Sequence, residues 1–482
     1  MRLSGQAFIF SASTFITNII GILSAIILSR LLQQEDYGSF KQLWLVFNTI
    51  TPLVVLGINN SMIFFTPKWG EEYEKSLLFM ANSLISILAI IAGLILYFCA
   101  DPVAQFLNNP KLIPFLKVFA FYPLFYLSIS FKNIFLLARG KIFLSSISTL
   151  ISSILLIVCS TLPVILYNDL LITIKWIVYG AAIQYFFYII LYFIYYSNNQ
   201  LLPTYKQLQD FIVYSLSLGL TSLVATYSDF IDKYFVSYYF NPDQFAIYSN
   251  GTIQLPITSI ILTSSMMVLF PKMVSLHKEN DIPSMLNIWN EACRKISLIV
   301  FPTFIFCFIM AEPIVTLMFS NRYIGSVIIF KIYILIFAMR FTQFSTFMLI
   351  FSDLKWHLIL SFSYLFLNII LNFFSIKLIG LEGPAYASVL VAAIVTSAIL
   401  YRSKLLLKTS IWNILPYKNL IVNMLISILA GAGTFYASRL LGLVLSKLLY
   451  LVISGFLYLF IFITLAKLTN AINKNDLLIF KK

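Results

Sequence analysis

Apolar residues run along the chain in long stretches, separated by short clusters of charged and turn-forming residues. Each stretch approaches the roughly 20 residues a helix needs to cross a hydrocarbon core of about 30 Å. None shows the alternation over about ten residues that marks a membrane β-barrel. Dividing the sequence at its polar clusters gives fourteen spans, near 7–28, 43–65, 77–99, 112–137, 142–166, 176–196, 212–239, 245–270, 296–318, 327–351, 358–379, 384–401, 420–438 and 448–466.

The run from Ala7 to Leu28 is too long for the apolar core of a cleavable signal and has no small-x-small site ahead of its charged flank, so it reads as the first transmembrane helix. The longest polar connection, 271–295, repeats Met285, Ile288, Trp289 and Ala292 at helical spacing, which predicts an amphipathic helix on the cytoplasmic face. No extramembrane domain is expected.

The pattern also repeats internally. Ser29–Phe40 lies ungapped on Ser237–Tyr248, an offset of 208, and Gly180-Ala181-Ala182 opens the sixth span much as Gly383-Pro384-Ala385 opens the twelfth, an offset of 203. A repeat of six helices returns to the same membrane side, so the halves are expected to be parallel repeats. The reading is an all-α polytopic membrane protein of about fourteen transmembrane helices: a six-helix bundle over 1–200, a second over 201–408, and two further helices with a tail over 409–482.

Composition agrees with the pattern. Of 482 residues, 60% are hydrophobic and only 10% charged, with a mean hydropathy of +0.93, whereas soluble domains carry roughly 25% charge. The net charge of +14 admits positive-inside loops, attraction to anionic headgroups, or a cationic pathway. Placed on the spans, 19 Lys/Arg fall on the side of the N-terminus and 8 on the other, which predicts both termini in the cytoplasm.

Lys117, Lys132, Lys233, Lys331 and Arg340 remain inside spans. Lys117, Lys132 and Lys331 lie near helix ends, where snorkelling to the headgroups is the plain reading. Arg340 sits near mid-span, where a charge costs at least about 2.5 kcal/mol, so a water-filled cavity or a partner is expected beside it. In the seventh span Asp229, Asp232 and Lys233 share one helix side.

Several local motifs carry a family resemblance. Leu28-Ser-Arg-Leu-Leu32 followed by Glu35-Asp-Tyr-Gly-Ser-Phe40, Gly57-Ile-Asn-Asn-Ser61, Asp232-Lys233 followed by Phe245-Ala-Ile-Tyr-Ser249, and Leu269-Phe-Pro-Lys272 resemble the polysaccharide flippases. Those flippases belong to the multidrug/oligosaccharidyl-lipid/polysaccharide exporter superfamily. One departure is Phe245-Ala246, where the commoner pattern has a glycine before its Ile-Tyr. The resemblance implies the fold of the multidrug and toxic-compound extrusion carriers and alternating access through a cationic cavity. The implied activity is translocation of undecaprenyl-diphosphate-linked oligosaccharide repeat units across the bacterial cytoplasmic membrane, for O-antigen, capsule or exopolysaccharide. Membrane lipids, a polysaccharide polymerase with its chain-length machinery, and Na+ or H+ as coupling ion are the implied partners.

A diphosphate between lipid and sugar calls for guanidinium and ammonium groups in a low-dielectric cleft. Arg30, Lys233 and Arg340 are the candidates for that role, followed by Lys117 and Lys132. Asp229 and Lys233, four residues apart, form a local ion pair in the plain reading. Asp232, left over, would bind a coupling ion or pair with Arg340 or Arg30. Asn59, Asn60 and Gln254 are candidate hydrogen-bonders to sugars.

Catalysis is not expected. His277 and His357 are the only histidines, the four cysteines have no C-x-x-C spacing, and there is no phosphate-binding glycine loop, so neither a cofactor, a metal nor a nucleic acid is implied. Two alternatives remain: a cation-coupled drug antiporter of the same superfamily, which would favour an acidic or apolar cavity, and a membrane-embedded glycosyltransferase or polymerase, which needs a large external loop.

Overall fold

The computed structural model describes residues 3–195, 202–253, 256–441 and 446–472, and among these there is no β-strand. The first helices are α1 (Leu3–Leu31), α2 (Gln34–Val55), α3 (Ile58–Trp69), α4 (Glu74–Phe98) and α5 (Ala100–Phe106). Three short helices then make one broken crossing: α6 (Leu112–Phe119), α7 (Tyr122–Leu127) and α8 (Lys132–Ala138). Next come α9 (Ile142–Tyr167), α10 (Leu170–Tyr195), α11 (Tyr205–Tyr239), α12 (Pro242–Gly251), α13 (Pro256–Lys278), α14 (Ile282–Ile309) and α15 (Ala311–Phe319). Another broken stretch comprises α16 (Ser326–Tyr333), α17 (Leu335–Met339) and α18 (Thr346–Ile350). The chain closes with α19 (Leu354–Ile379), α20 (Gly383–Leu407), α21 (Ile411–Ile414), α22 (Tyr417–Leu441) and α23 (Lys447–Leu468).

Among the described residues, eleven helical stretches are long and apolar enough to cross a membrane, and a twelfth is counted if the bent pair Tyr205–Val224 and Thr226–Tyr239 is one span. The protein is a multi-pass membrane protein. The expected spans at 245–270 and 327–351 are each divided. In the second, the polar run Arg340-Phe-Thr-Gln-Phe-Ser345 leaves helical geometry between α17 and α18. In the first, α12 and α13 flank 254–255, which lie outside the described residues.

The chain divides into two compact units, Met1–Ala246 and Ile247–Lys482. In the first, α1 packs along α9, α9 on α10, α2 and α3 on α11, and α7 on both α4 and α10. In the second, α19 packs on α20, and α14 on both α13 and α22. Outward faces are apolar, as on α10, where Ile183, Phe186 and Ile190 are 66%, 57% and 57% exposed. In a bilayer such faces meet lipid tails.

Two backbone details follow from small residues. Gly57, at φ +74°, opens α3 after the left-handed Leu56. A Cβ on Gly57 would come within 2.4 Å of the Ser215 carbonyl, and one on Gly219 within 2.6 Å of Leu56, so both glycines let α11 touch the α2–α3 break. The repeated hairpins are alike locally. Each joins two helices through an extended residue, Gln33 (ψ 155°) or Phe240 (ψ 162°), after a fully buried serine, Ser29 or Ser237.

The connection 271–295 differs from expectation. The helix begun at Ile282 continues unbroken to Ile309, and Met285, Trp289 and Cys293 on its apolar stripe are completely buried against Phe347, Ile414 and Leu415. The stripe is helical as the spacing implied, but protein rather than the membrane surface covers it.

Candidate functional site

The first unit holds α11 against α2 through a buried polar network. Gln42 Nε2 donates to Ser237 Oγ (2.7 Å) and to the Leu107 carbonyl (2.9 Å), while Asn109 Nδ2 donates to Gln42 Oε1 (2.7 Å) and Ser39 Oγ (2.8 Å). Further along the same helices, the Thr49 and Tyr234 hydroxyls bond each other, and Tyr227 Oη, two turns before Tyr234 on α11, donates to the Thr49 carbonyl at 3.2 Å. At the hairpin, Gly38 meets the Pro242 backbone so closely that a Cβ would lie 2.0 Å from its carbonyl. Lys111 Nζ pairs with Glu35 Oε2 at 2.8 Å, and this hydrogen bond raises the Lys111 pKa above its ordinary value.

These contacts set the orientation of the charged stripe on α11. Asp232 is 1% exposed; its Oδ1 accepts from the Lys233 backbone amide at 2.8 Å and lies 3.8 Å from Lys233 Nζ. Asp232 is thus the buried neighbour of Lys233. Asp229 is exposed, and its carbonyl accepts from Lys233 Nζ at 3.4 Å. The Lys233 ammonium also lies over the Phe230 ring, 5.4 Å from its centroid.

A cavity of about 400 Å³ opens among α1, α2, α8 and α9. Lys41 and Lys132 enter it, with Thr17, Ser24, Ser152 and Ser153 supplying hydroxyls. Lys132 Nζ donates to Ser152 Oγ at 3.3 Å, and Ser24 and Ser160 bond across α1 and α9 at 3.0 Å. Trp44 and Tyr126 form an aromatic wall, Tyr126 stacked on Tyr122 at 5.1 Å. Gly21 also lines the space, and a Cβ there would meet nothing within 4 Å. Among the described residues, neither lysine has an acidic partner. Lys41 is close enough to Lys233 for the two charges to repel.

Two unpaired ammonium groups held within membrane-crossing helices are costly unless water or an anion meets them. Hydroxyls around them, such as Ser152 Oγ on Lys132, solvate but do not neutralise.

Lys132 belongs to this cavity instead of snorkelling. Lys41, which hydropathy leaves in the connection before the second span, lies about two turns inside α2, and its i, i+3 relation to Trp44 is the signal that could have found it. Lys117 lines a separate groove with Lys175. Arg30 is exposed in the last turn of α1. Arg340, in the second unit, caps α17 at the break and stacks on Tyr364 at 4.5 Å, so the expected mid-span charge sits where the helix ends. Asn59 accepts from Ser130 Oγ at 3.5 Å, Asn60 is exposed, and Gln254 lies outside the described residues. No group of three His, Cys, Asp or Glu side chains that could hold a metal occurs among the described residues.

Comparison with known families decides the chain's kinship. A family model described as "Polysaccharide biosynthesis protein" matches residues 27–328. The chain belongs to this polysaccharide biosynthesis family. Its fold is shared with solved transporters. The lipid II flippase MurJ in an inward closed conformation superposes with a TM-score of 0.71 at 16% identity, over 96% of this chain and 98% of that one. An inward-facing multidrug resistance MATE family transporter of the MOP superfamily gives 0.64 at 13% identity, over 84% and 99%. An outward-facing MATE family transporter gives 0.51 at 16% identity, over 85% and 96%. A comparison with curated protein sequences gives no match. The family places the chain in polysaccharide biosynthesis, and the fold is that of MOP-superfamily transporters.

Proposed function

We propose that the protein is a flippase that carries undecaprenyl-diphosphate-linked oligosaccharide repeat units across the bacterial cytoplasmic membrane by alternating access, with both termini in the cytoplasm. The single observation that carries this reading is the cavity in which Lys41 and Lys132 stand without acidic partners among serines and threonines. The two ammonium groups fit a diphosphate, whose charge-assisted hydrogen bonds are the strong ones in a low-dielectric site. The hydroxyls, Asn133 and Gln184 fit sugar hydroxyls, and Trp44 and Tyr126 offer ring faces for sugar stacking.

Arg30 and Arg340 are assigned by their charge to the anionic headgroup. Asp232, buried beside Lys233, is assigned to coupling through Na+ or H+. A cation-coupled drug antiporter shares the fold, but a cationic drug would be repelled by Lys41 and Lys132. The surface polysaccharide, whether O-antigen, capsule or exopolysaccharide, would be finished by a polymerase that receives the unit on the far side.

The test is genetic. Deleting the gene in a strain without a redundant flippase should leave the completed lipid-linked unit on the cytoplasmic leaflet, inaccessible to an external glycan probe, while its assembly continues. Unchanged surface polysaccharide in that strain would refute the reading.

A further inference from the structure

A second basic site lies outside the cavity, on the lipid-facing side of the first unit. Lys117, one turn into α6, and Lys175, one turn into α10, line a groove of about 510 Å³ with Tyr97, Phe121 and Tyr179. The groove faces outward: Phe121 is 52% and Tyr179 62% exposed, and Lys175 is exposed as well. It sits at the membrane face that carries the α1–α2 hairpin, because the end of α4 and the starts of α6 and α10 all lie there, next to the Lys111–Glu35 contact. Among the described residues neither lysine has an ion-pair partner.

Below the lysines, α10 presents Tyr179, Ile183, Phe186 and Ile190 on one exposed face. From Lys175 to Phe186 a helix rises about 16 Å at 1.5 Å per residue, close to half of a bilayer core of about 30 Å. A pair of ammonium groups at headgroup depth, aromatic rings at the interface and an apolar face one leaflet long match the parts of a single phospholipid in order.

We propose that this groove is a binding site for one anionic glycerophospholipid of the surrounding leaflet, its phosphate between Lys117 and Lys175 and an acyl chain along α10. The lipid clamps α6 to α10 at that face, and the site is distinct from the Lys41–Lys132 cavity. It stands whatever that cavity carries.

The test is native mass spectrometry of the purified full-length protein titrated with phosphatidylglycerol. At about 1 kcal/mol per lysine near a charged headgroup, Lys175→Gln should weaken the lipid adduct about fivefold, and Lys117→Gln with Lys175→Gln about thirtyfold. Arginine at both positions should retain binding. Lys175 is exposed, so its single variant reads the site even if the double one fails to fold. Unchanged affinity in Lys175→Gln would overturn the proposal. So would equal binding of phosphatidylcholine, or competition by water-soluble glycerophosphate at matched concentration, which would make the groove a free-phosphate site.

Discussion

At the scale of single residues, Gly21 and Lys41 carry opposite parts of the cavity's logic. Gly21 leaves space: nothing lies within 4 Å of where its side chain would begin. Gly21→Leu should therefore fold and reach the membrane in normal amount, since leucine is the better helix former, yet fill part of the 400 Å³ and cut polysaccharide export. Gly21→Ala, which adds one methyl group, should export nearly normally. Lys41 supplies charge. Lys41→Met keeps most of the apolar stem and removes the ammonium, and the loss of one charge-assisted contact, about 1.5–3 kcal/mol, predicts a fall in transport of roughly tenfold to a hundredfold. Membrane abundance, read by immunoblot, should stay unchanged; a drop in abundance instead would make Lys41 a structural residue. Lys132 was visible in the sequence as a charge within a span, whereas Lys41 was not. It falls two residues ahead of the hydrophobic run that starts at Leu43, and only the turn that begins α2 at Gln34 draws it into the helix.

At the scale of elements, polar networks rather than apolar packing fix which helix faces meet, because lipid tails solvate apolar surface as well as protein does. Gln42 is the clearest case. Gln42→Leu would take from Ser237 Oγ, the Leu107 carbonyl and Asn109 Nδ2 one buried hydrogen bond each, at a cost of about 1–3 kcal/mol. Thermal unfolding in detergent should shift down accordingly, and Gln42→Asn should not restore it because its amide is one methylene too short. In the second unit Arg402 Nε bonds Asp353 Oδ2 at 2.6 Å, with the guanidinium over Trp356, and joins the start of α19 to α20. Arg402→Met should destabilise more than the double change Arg402→Met with Asp353→Leu, since the single variant strands a largely buried carboxylate. Equal losses would mean the pair contributes only packing. Long helices were legible from hydropathy, as α4, α9, α19 and α23 show. The breaks were not. Those between α6, α7 and α8 fall inside one apolar run, and the Arg340–Ser345 break depends on tertiary contacts that no local pattern records. The stripe Met285, Trp289 and Cys293 was read with the right spacing and the wrong partner, because an apolar face says that something covers it and not what.

At the scale of the whole molecule, the family and the fold were both within reach of short motifs. Glu35-Asp-Tyr-Gly-Ser-Phe40 owes its form to packing: Tyr37 is completely buried and Gly38 admits the Pro242 backbone. Gly57-Ile-Asn-Asn-Ser61 owes its form to the approach of α11, with Ser61 Oγ bonded to Ser215 Oγ at 2.7 Å. Such residues are dictated by the architecture, so they report the fold faithfully and the cargo hardly at all. The cargo is read from unpaired charge, which requires knowing which lysines lack partners, and that is a property of three dimensions. Lys41 and Lys132 are proposed to receive the diphosphate of a lipid-linked glycan, and reconstitution can measure that step on its own. Purified protein in liposomes loaded with undecaprenyl-diphosphate oligosaccharide on the inner leaflet should expose the glycan to an external lectin, and the Lys41→Met, Lys132→Met protein should do so at least tenfold more slowly. Equal rates for the two proteins, or no exposure by the unsubstituted one, would contradict it.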